Sequence, residues 1–326
     1  MQRSFAALEK QRLARCRLLM ELRYRRLPRP GGWSHCGVQL GTEPTSLALL
    51  ALRSSRLSPV QTEELAPLLA CRRPNGLWSA VRDGDTGANF WATAIALNTL
   101  MILGAASEML VGALDSLLYC KPLEASWLIR LKFRIADRQV RLDPAKFGWP
   151  WIPDTMSWVE PTSMVLIALE RAKALGLIDS DQLWCRLNLG TDMLLDRACP
   201  EGGWNAGNGV VYGVPLQPHL DATALALAAL RFHYHLPTVN SSLTWMLDRI
   251  DCPSAHSLAW LILSAAAYKD WRSDVLPALG VARDRLAALV EEPQRIQDTS
   301  TIALAALALD PETANNPLEV RSCVHQ

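Results

Sequence analysis

One short phrase occurs six times in this chain: a small hydroxyl-bearing residue, once a His, followed by an apolar run rich in Ala and Leu. The copies read GTEPTSLALLAL, NFWATAIALNTL, VEPTSMVLIAL, HLDATALALAAL, PSAHSLAWLIL and QDTSTIALAAL. Aligned on the apolar residues that follow, the marker residues are Thr45, Thr93, Thr162, Thr223, His256 and Ser300, at intervals between 33 and 69 residues. A phrase recurring at such periods builds an internally repeated protein, so every motif is first a part of the repeat.

Before four of the copies stands a turn of Gly, Pro and Trp: RPGGWS at Trp33, RPNGLWS at Trp78, FGWPW at Trp149 and Trp151, and CPEGGWN at Trp204. Before the turns the pattern is amphipathic. Pro59–Arg72, Ser180–Asp196 and Ser273–Val290 space Leu, Val and Trp at three and four residues with charges between, as helices with one wet face do. The marked runs are apolar nearly all round, which makes them the buried partners. The repeat unit is therefore an outer helix, a Gly/Trp loop and an inner helix entered at Thr or Ser. Six such pairs close into a ring within a ring, and the expected fold is an all-α (α/α)6 toroid. An open solenoid fits less well, because the repeat length wanders and no tetratricopeptide signature occurs.

Half of the 326 residues are apolar and no Pro- or Gly/Ser-rich linker divides them, so residues 31–326 are expected to form one toroid domain. Residues 1–30 differ. Arg and Lys dominate there against only Glu9 and Glu21, and Phe5, Leu8, Cys16, Leu19, Met20 and Leu27 fall along a helical stripe. This basic amphipathic helix is either the outer helix of the first pair or a peripheral anchor on an anionic membrane surface. Between residues 126 and 140 charged and apolar residues alternate, which predicts a short inserted hairpin.

A net charge of +1 leaves no footprint for nucleic acid. Eight scattered Cys without a CxxC, and no apolar leader before them, fit a reducing cytoplasm. Ala92–Leu114 is interrupted by Asn98 and Glu108, which reads as a buried helix pair rather than a membrane span. The Asp83-Gly84-Asp85 triplet is a common turn composition, and no dinucleotide or phosphate loop is present, so no cofactor is expected on the first reading.

Acids stand two places before the marker in four copies, at Glu43, Glu160, Asp221 and Asp298. An acid in a first helical turn is favourable on its own account, and four around one rim would raise at least one pKa.

The unit of GGW or GLW followed by a (D/E)xTxLALxAL helix resembles the repeat of the prenyltransferase and squalene cyclase superfamily, across nearly the whole chain. That superfamily holds squalene-hopene cyclases, class II diterpene cyclases and the β subunits of protein prenyltransferases. The resemblance implies a toroid whose inner-helix starts surround a cavity for isoprenoid chains. It implies one barrel where triterpene cyclases carry two, and a separate chain supplying a second is a possible partner.

Class II cyclases begin one inner helix with DxDDTA, whose middle Asp protonates an alkene or epoxide. Here the matching start is His219-Leu220-Asp221-Ala222-Thr223-Ala224. The resemblance thus implies Asp221 as acid, with His219 where the family has its first Asp and Ala222 where it has its last. Glu160 and Glu43 on the same rim, and Trp91, Trp149, Trp151 and Trp158, complete the candidate site, the rings as walls able to stabilise carbocations. The expected function is a terpenoid cyclase-like enzyme acting on an isoprenoid or similar hydrophobic substrate. Two alternatives stay open. One is a Zn-dependent, prenyltransferase-like site of Asp221, His256 and Asp298, although the DxC of that family is missing. The other is a non-catalytic toroid that binds a hydrophobic ligand or a partner protein.

Overall fold

The computed structural model describes residues 5–28, 31–53, 61–84, 87–136, 142–312 and 315–320. Arg3, Arg29, Asp85 and residues 137–140 of the expected hairpin lie outside them. The marked runs form six helices: α2 (Thr42–Leu52), α4 (Phe90–Ile102), α7 (Val159–Ala174), α9 (Leu220–Ala229), α11 (Ala255–Ala265) and α13 (Thr299–Ala308). Their Ala- and Leu-rich composition favours helix, and three of the six starts carry a side-chain cap, at Asn89, Ser254 and Asp298. Asn89 accepts from Ala92 N–H at 2.8 Å and Asp298 from Thr301 N–H at 2.8 Å. Each of the six packs on the next, and α13 packs back on α2, so the ring is closed.

Outside it lie α1 (Phe5–Tyr24), α3 (Thr62–Leu69), α5 (Val111–Tyr119), α8 (Asp181–Asp196), α10 (Pro237–Leu247) and α12 (Val275–Val290). The apolar stretch Ala92–Leu114 is divided between α4 and α5, and among the described residues no helix is long and apolar enough to cross a membrane. The core is the continuous layer between the rings together with the filled lumen.

The marker Thr and the Trp of the turn form one device, used four times. The backbone N–H of Trp33, Trp78, Trp149 and Trp204 donates to the hydroxyl of Thr45, Thr93, Thr162 and Thr223 at 3.0, 3.0, 2.9 and 2.9 Å. The indole N–H of the same residues donates to Leu22, Leu68, Leu117 and Leu194 carbonyls in α1, α3, α5 and α8, at 2.6 to 2.9 Å. One Trp therefore ties an outer helix to its inner partner. A glycine precedes Trp33, Trp149 and Trp204, and Leu77 precedes Trp78; at Gly203, which has φ +78°, a Cβ would stand 2.8 Å from the Thr223 hydroxyl. Thr223→Val keeps the shape and strands the buried Trp204 N–H, so a loss of about 1–3 kcal/mol is expected in denaturant unfolding. A change within error would remove this account of the marker.

A second device closes the ring at the same end. The first N–H of α2, α4, α7 and α13 donates to the carbonyl two residues beyond the next Trp, at Ala80, Trp151, Ala206 and His35, over 2.9 to 3.1 Å. The inner helices consequently run parallel, with their N-termini at one mouth. At the far end the chain's last described residues fill the lumen. Asn315 donates to Leu50 and Arg53 carbonyls, Asn316 to Leu263, and Arg171 to Pro317.

Three expectations are corrected. Residues 127–136 form helix α6 (Trp127–Ala136) rather than a strand of a hairpin. The run lacks any Gly, Asn or Pro to turn on and is rich in good helix formers. The hairpin lies instead at β1 (Val210–Val211) and β2 (Val214–Pro215), where Tyr212 and Gly213, with φ 53° and 75°, supply the turn. Second, only part of the expected stripe faces the barrel: Leu19 and Leu27 pack against the core, but Phe5, Leu8, Cys16 and Met20 are exposed, and the buried residues of α1 are Gln11, Ala14, Leu18 and Leu22. Polar contacts fix the helix in that rotation, Gln11 to Asp284 at 2.5 Å and Arg15 to Asp310 at 3.0 Å.

Third, the last two copies shift by two residues. The residues before the inner helices are Gly41, Asn89, Trp158, His219, Ser254 and Asp298. Counted from these, His256 and Ser300 fall with Glu43, not with Thr45, and Leu258 and Ile302 take the marker position. No Trp turn precedes α11 or α13, so there is no N–H for a Thr to hold, and an apolar run aligns in either register.

Candidate functional site at the mouth of the barrel

The second residues of the six inner helices are Glu43, Trp91, Glu160, Asp221, His256 and Ser300. They form one rim, and the contacts between them run from helix to helix. Trp91 indole N–H donates to Glu43 Oε2 at 3.0 Å. The Glu160 carboxyl lies within electrostatic reach of Asp221 and of His219. His256 Nδ1 meets the Thr301 hydroxyl at 3.1 Å, and its Nε2 accepts from the Trp260 indole at 3.0 Å. Ser300 meets His35 Nδ1 at 3.2 Å and helps clasp the first repeat to the last.

On the α7 side of this rim is a cleft of about 490 Å³, lined by Trp151, Ile152, Thr155, Met156, Trp158, Glu160 and Ala206. Beneath it the lumen is shut. Trp91 packs on Trp151 at 5.7 Å between ring centroids, and on Trp260 at 6.3 Å with the planes at 78°. Since α4 and α11 stand opposite in the ring, these two indoles meet across its centre. The site is thus aromatic and shallow. A larger cleft of about 650 Å³ lies away from the rim, between the loop after α8 and the start of α10, and contains none of the candidate residues.

The loop that carries Trp151 and Trp158 is held from below. Glu124, fully buried, accepts from the Ser157 N–H at 2.9 Å and from its hydroxyl, and Arg197 donates to the Ser157 carbonyl at 2.9 Å while lying 3.6 Å from Glu124. The buried carboxylate and guanidinium offset one another's charge and each makes bonds to Ser157, while Glu124 Oε2 and Arg197 Nε and Nη2 have no hydrogen-bond partner.

Glu160 is the perturbed acid of the rim. Its Oε2 is enclosed and has no hydrogen-bond partner. Burial pushes its carboxyl above the ordinary glutamate value, Asp221 pushes further the same way, and the Glu160 backbone and His219 oppose the rise. A folded carboxyl with a raised pKa binds its proton more tightly than the unfolded chain does. Its contribution is therefore intact below the ordinary value of 4.5 and is lost as pH rises through the folded value. Melting temperatures measured across that range are expected to fall for the wild type relative to Glu160→Gln. Parallel curves would show that the carboxyl is solvated.

The expected site residues fare differently. Glu43, Trp91, Glu160 and Asp221 share the rim, Trp151 and Trp158 line the cleft, and His219 is the exposed residue just before α9. Trp149 is corrected: it is fully buried between α5 and α7 as one of the four ties, with Arg186 4.0 Å over its ring, and it cannot touch a ligand in the cleft. The set Asp221, His256 and Asp298 is not assembled. Asp298 spends its carboxylate capping α13, both His256 nitrogens are engaged, and among the described residues no three His, Cys, Asp or Glu side chains are grouped to hold a metal ion. Trp260 is the residue the motifs did not flag. Its signal is a Trp where the corresponding residues are Leu47, Ile95, Met164, Leu225 and Leu304.

No family model matches the chain, and no curated protein matches it. Solved structures match its fold along nearly the whole length. The type II terpene cyclase MstE from Scytonema, in complex with geranylgeranyl dihydroxybenzoate, superposes with a TM-score of 0.57 at 15% identity, over 97% of this chain and 100% of the cyclase. Candida albicans protein geranylgeranyltransferase-I complexed with GGPP gives 0.50 at 14% identity, over 96% and 95%. A reducing-end-xylose releasing exo-oligoxylanase gives 0.51 at 12% identity, over 98% and 95%. The fold is the toroid of the terpene cyclases and protein prenyltransferases. At these identities the likeness is one of fold, which by itself hosts unrelated chemistries.

Proposed function

We propose that this chain is a terpenoid cyclase-like enzyme that acts on an isoprenoid or similarly hydrophobic substrate by acid-initiated chemistry, with Glu160 as the proton donor. The observation that carries the reading is the enclosed, unpartnered Oε2 of Glu160 on the wall of a Trp-lined cleft. A carboxyl whose pKa burial has raised holds its proton to higher pH than a solvated one, which suits general acid work. Its raised pKa suits an epoxide oxygen better than a bare alkene, because oxygen is the more basic acceptor. The proton passes from Glu160 to that oxygen, the carbon–oxygen bond opens, the neighbouring double bond supplies the electron pair that closes a ring, and the resulting cation loses a proton to solvent water to give an alkene isomeric with the substrate, Glu160 being reprotonated from solvent. Trp151 and Trp158 present π faces to the developing cation, and Asp221 and His219 tune the acid from the next helix. The fold's likeness to a cyclase holding a geranylgeranyl compound agrees with this substrate class.

The test is incubation of the purified protein with farnesyl and geranylgeranyl compounds, each with and without a terminal epoxide, followed by mass spectrometry and NMR for cyclised isomers. Conversion of the epoxides is expected. The closed lumen favours a second reading, binding without turnover. It takes over if those compounds bind, as read by quenching of Trp fluorescence, and none is converted.

A further inference from the structure

A second aromatic cleft, of about 560 Å³, lies towards the end of the barrel opposite the rim. It is formed by the last turns of α7, the first half of α8 and the turn Arg231–His233 after α9, with Val320 against them. Glu170 on its wall stands one helical stretch beyond Glu160 on α7, and at 1.5 Å per residue the two are about 15 Å apart along that helix.

The apolar walls are Trp184, Leu187 and Phe232. A cation covers part of each ring: Lys173 Nζ lies 4.3 Å from the Trp184 centroid, and the Arg231 guanidinium 4.0 Å from that of Phe232. Trp184 and Phe232 nevertheless stay 48% and 43% exposed, and they line the cleft with what remains open. Open indole and phenyl surface in one cleft favours a flat aromatic body, held by offset or edge-on contacts.

Arg231 sets the polar demand. It is buried, and its Nη2 has no hydrogen-bond partner among the described residues. Leaving a buried guanidinium donor unmade is costly. Burial lowers this group to about 10, so it is still a cation at neutral pH. Glu170 is the carboxylate whose charge acts on it most, and both Glu170 and the two residues after Arg231 line the cleft, which puts the guanidinium behind the inner wall. The charges around the cleft cancel. Lys173 is bridged to Glu170 at 2.6 Å, and Glu319 stands within electrostatic reach of Arg231. Burial, and then His235, hold the His233 imidazole below its ordinary range and so uncharged at neutral pH. A carboxylate in the cleft would meet Glu170, and an ammonium group would meet Lys173 and Arg231; like charges so placed are costly, and an uncharged molecule avoids both.

We infer that the cleft between α7, α8 and the turn after α9 is a second ligand site, for an uncharged planar aromatic molecule whose hydrogen-bond acceptor reaches Arg231. It does not rest on the chemistry at the mouth. Four compounds with one bicyclic body separate the requirements: indanone carries the acceptor, indane lacks it, and indanecarboxylate and aminoindane add a negative and a positive charge. Ligand-observed NMR titrations of the full chain are expected to show indanone bound about tenfold or more tighter than indane, the scale of satisfying a buried donor, and tighter than either charged compound. Trp184→Ala and Phe232→Ala are each expected to weaken indanone binding about tenfold, the scale of losing an aromatic wall, while Trp158→Ala at the mouth leaves it unchanged. Arg231→Met removes the donor and should erase the preference for indanone over indane. Melting temperatures show which variants fold, and the comparison of compounds on the wild type decides the matter if Arg231→Met does not. The inference is overturned if indanone does not bind, if indane binds as tightly, or if a charged compound binds best. It is also overturned if both ring variants bind normally, or if Trp158→Ala alone loses binding.

Discussion

Trp204→Ala is expected to destabilise the protein by about 3–5 kcal/mol, the range for truncating a buried Trp to Ala. The indole is fully enclosed, so the substitution removes its packing against both rings of helices and leaves a cavity between them. It also removes the 2.6 Å bond to the Leu194 carbonyl, near the end of α8, leaving that carbonyl only the Arg197 N–H at 3.2 Å. Trp204→Phe separates the two losses, since it keeps most of the volume and forfeits only the N–H; it should cost about 1–3 kcal/mol. Trp127→Ala supplies the contrast, because that ring lies on the surface and its loss should fall within about 0.5 kcal/mol of the wild type. Urea unfolding followed by circular dichroism measures all three. A Trp204→Ala protein as stable as Trp127→Ala would mean that the tie between rings is not what holds the toroid together.

That tie explains how much of the fold was legible in the sequence. A Thr that must accept a Trp N–H is a positional demand, and in three of the four turns a Gly directly before the Trp leaves it room, so the first four repeats announced themselves as Gly/Trp turn plus marked helix. Repeats five and six lack the Trp, and with it the demand. Their apolar runs then aligned equally well two residues away, and His256 and Ser300 were read as markers instead of rim residues. A helix cap would have corrected this, since Asp298 accepts from Thr301 N–H and Ser254 from Ser257 N–H, as Asn89 does from Ala92.

Within the site, the rim was visible as a spacing and the electrostatics were not. Glu43, Glu160 and Asp221 occupy equivalent places, yet Glu43 meets an indole N–H while an oxygen of Glu160 is shut away without a partner. What separates them is the loop folded over α7, which the buried Glu124 and Arg197 hold in place from distant parts of the chain. No local pattern encodes that. The same limit applies to Trp149 and Trp151: they are two residues apart in one motif, but one indole ties helices together and the other lines the cleft. The closure of the lumen likewise depends on Trp91 and Trp260 meeting across the ring, from positions far apart in sequence.

Glu160→Gln is expected to lower turnover of an epoxide-bearing isoprenoid by a factor of about 10²–10⁴, the usual contribution of a positioned general acid. The amide keeps the size of the side chain and its place on the wall of the cleft, so binding measured by Trp fluorescence should be little changed; the loss belongs to kcat. Asp221→Asn is the informative companion. Asp221 acts on Glu160 by raising its pKa, so its removal lets the donor ionise sooner. The acidic form is then depleted at a lower pH, and the falling limb of the rate profile moves towards acid while the maximum rate survives. The reverse outcome, an inactive Asp221→Asn with an active Glu160→Gln, would transfer the role of acid to Asp221. A second signature distinguishes a catalytic acid from a structural one. Enclosing an ionisable carboxyl costs stability above its unfolded pKa, so Glu160→Gln should unfold at a higher temperature than the wild type at neutral pH while being the poorer catalyst. A variant that is both less active and less stable would instead mark Glu160 as a residue that supports the start of α7.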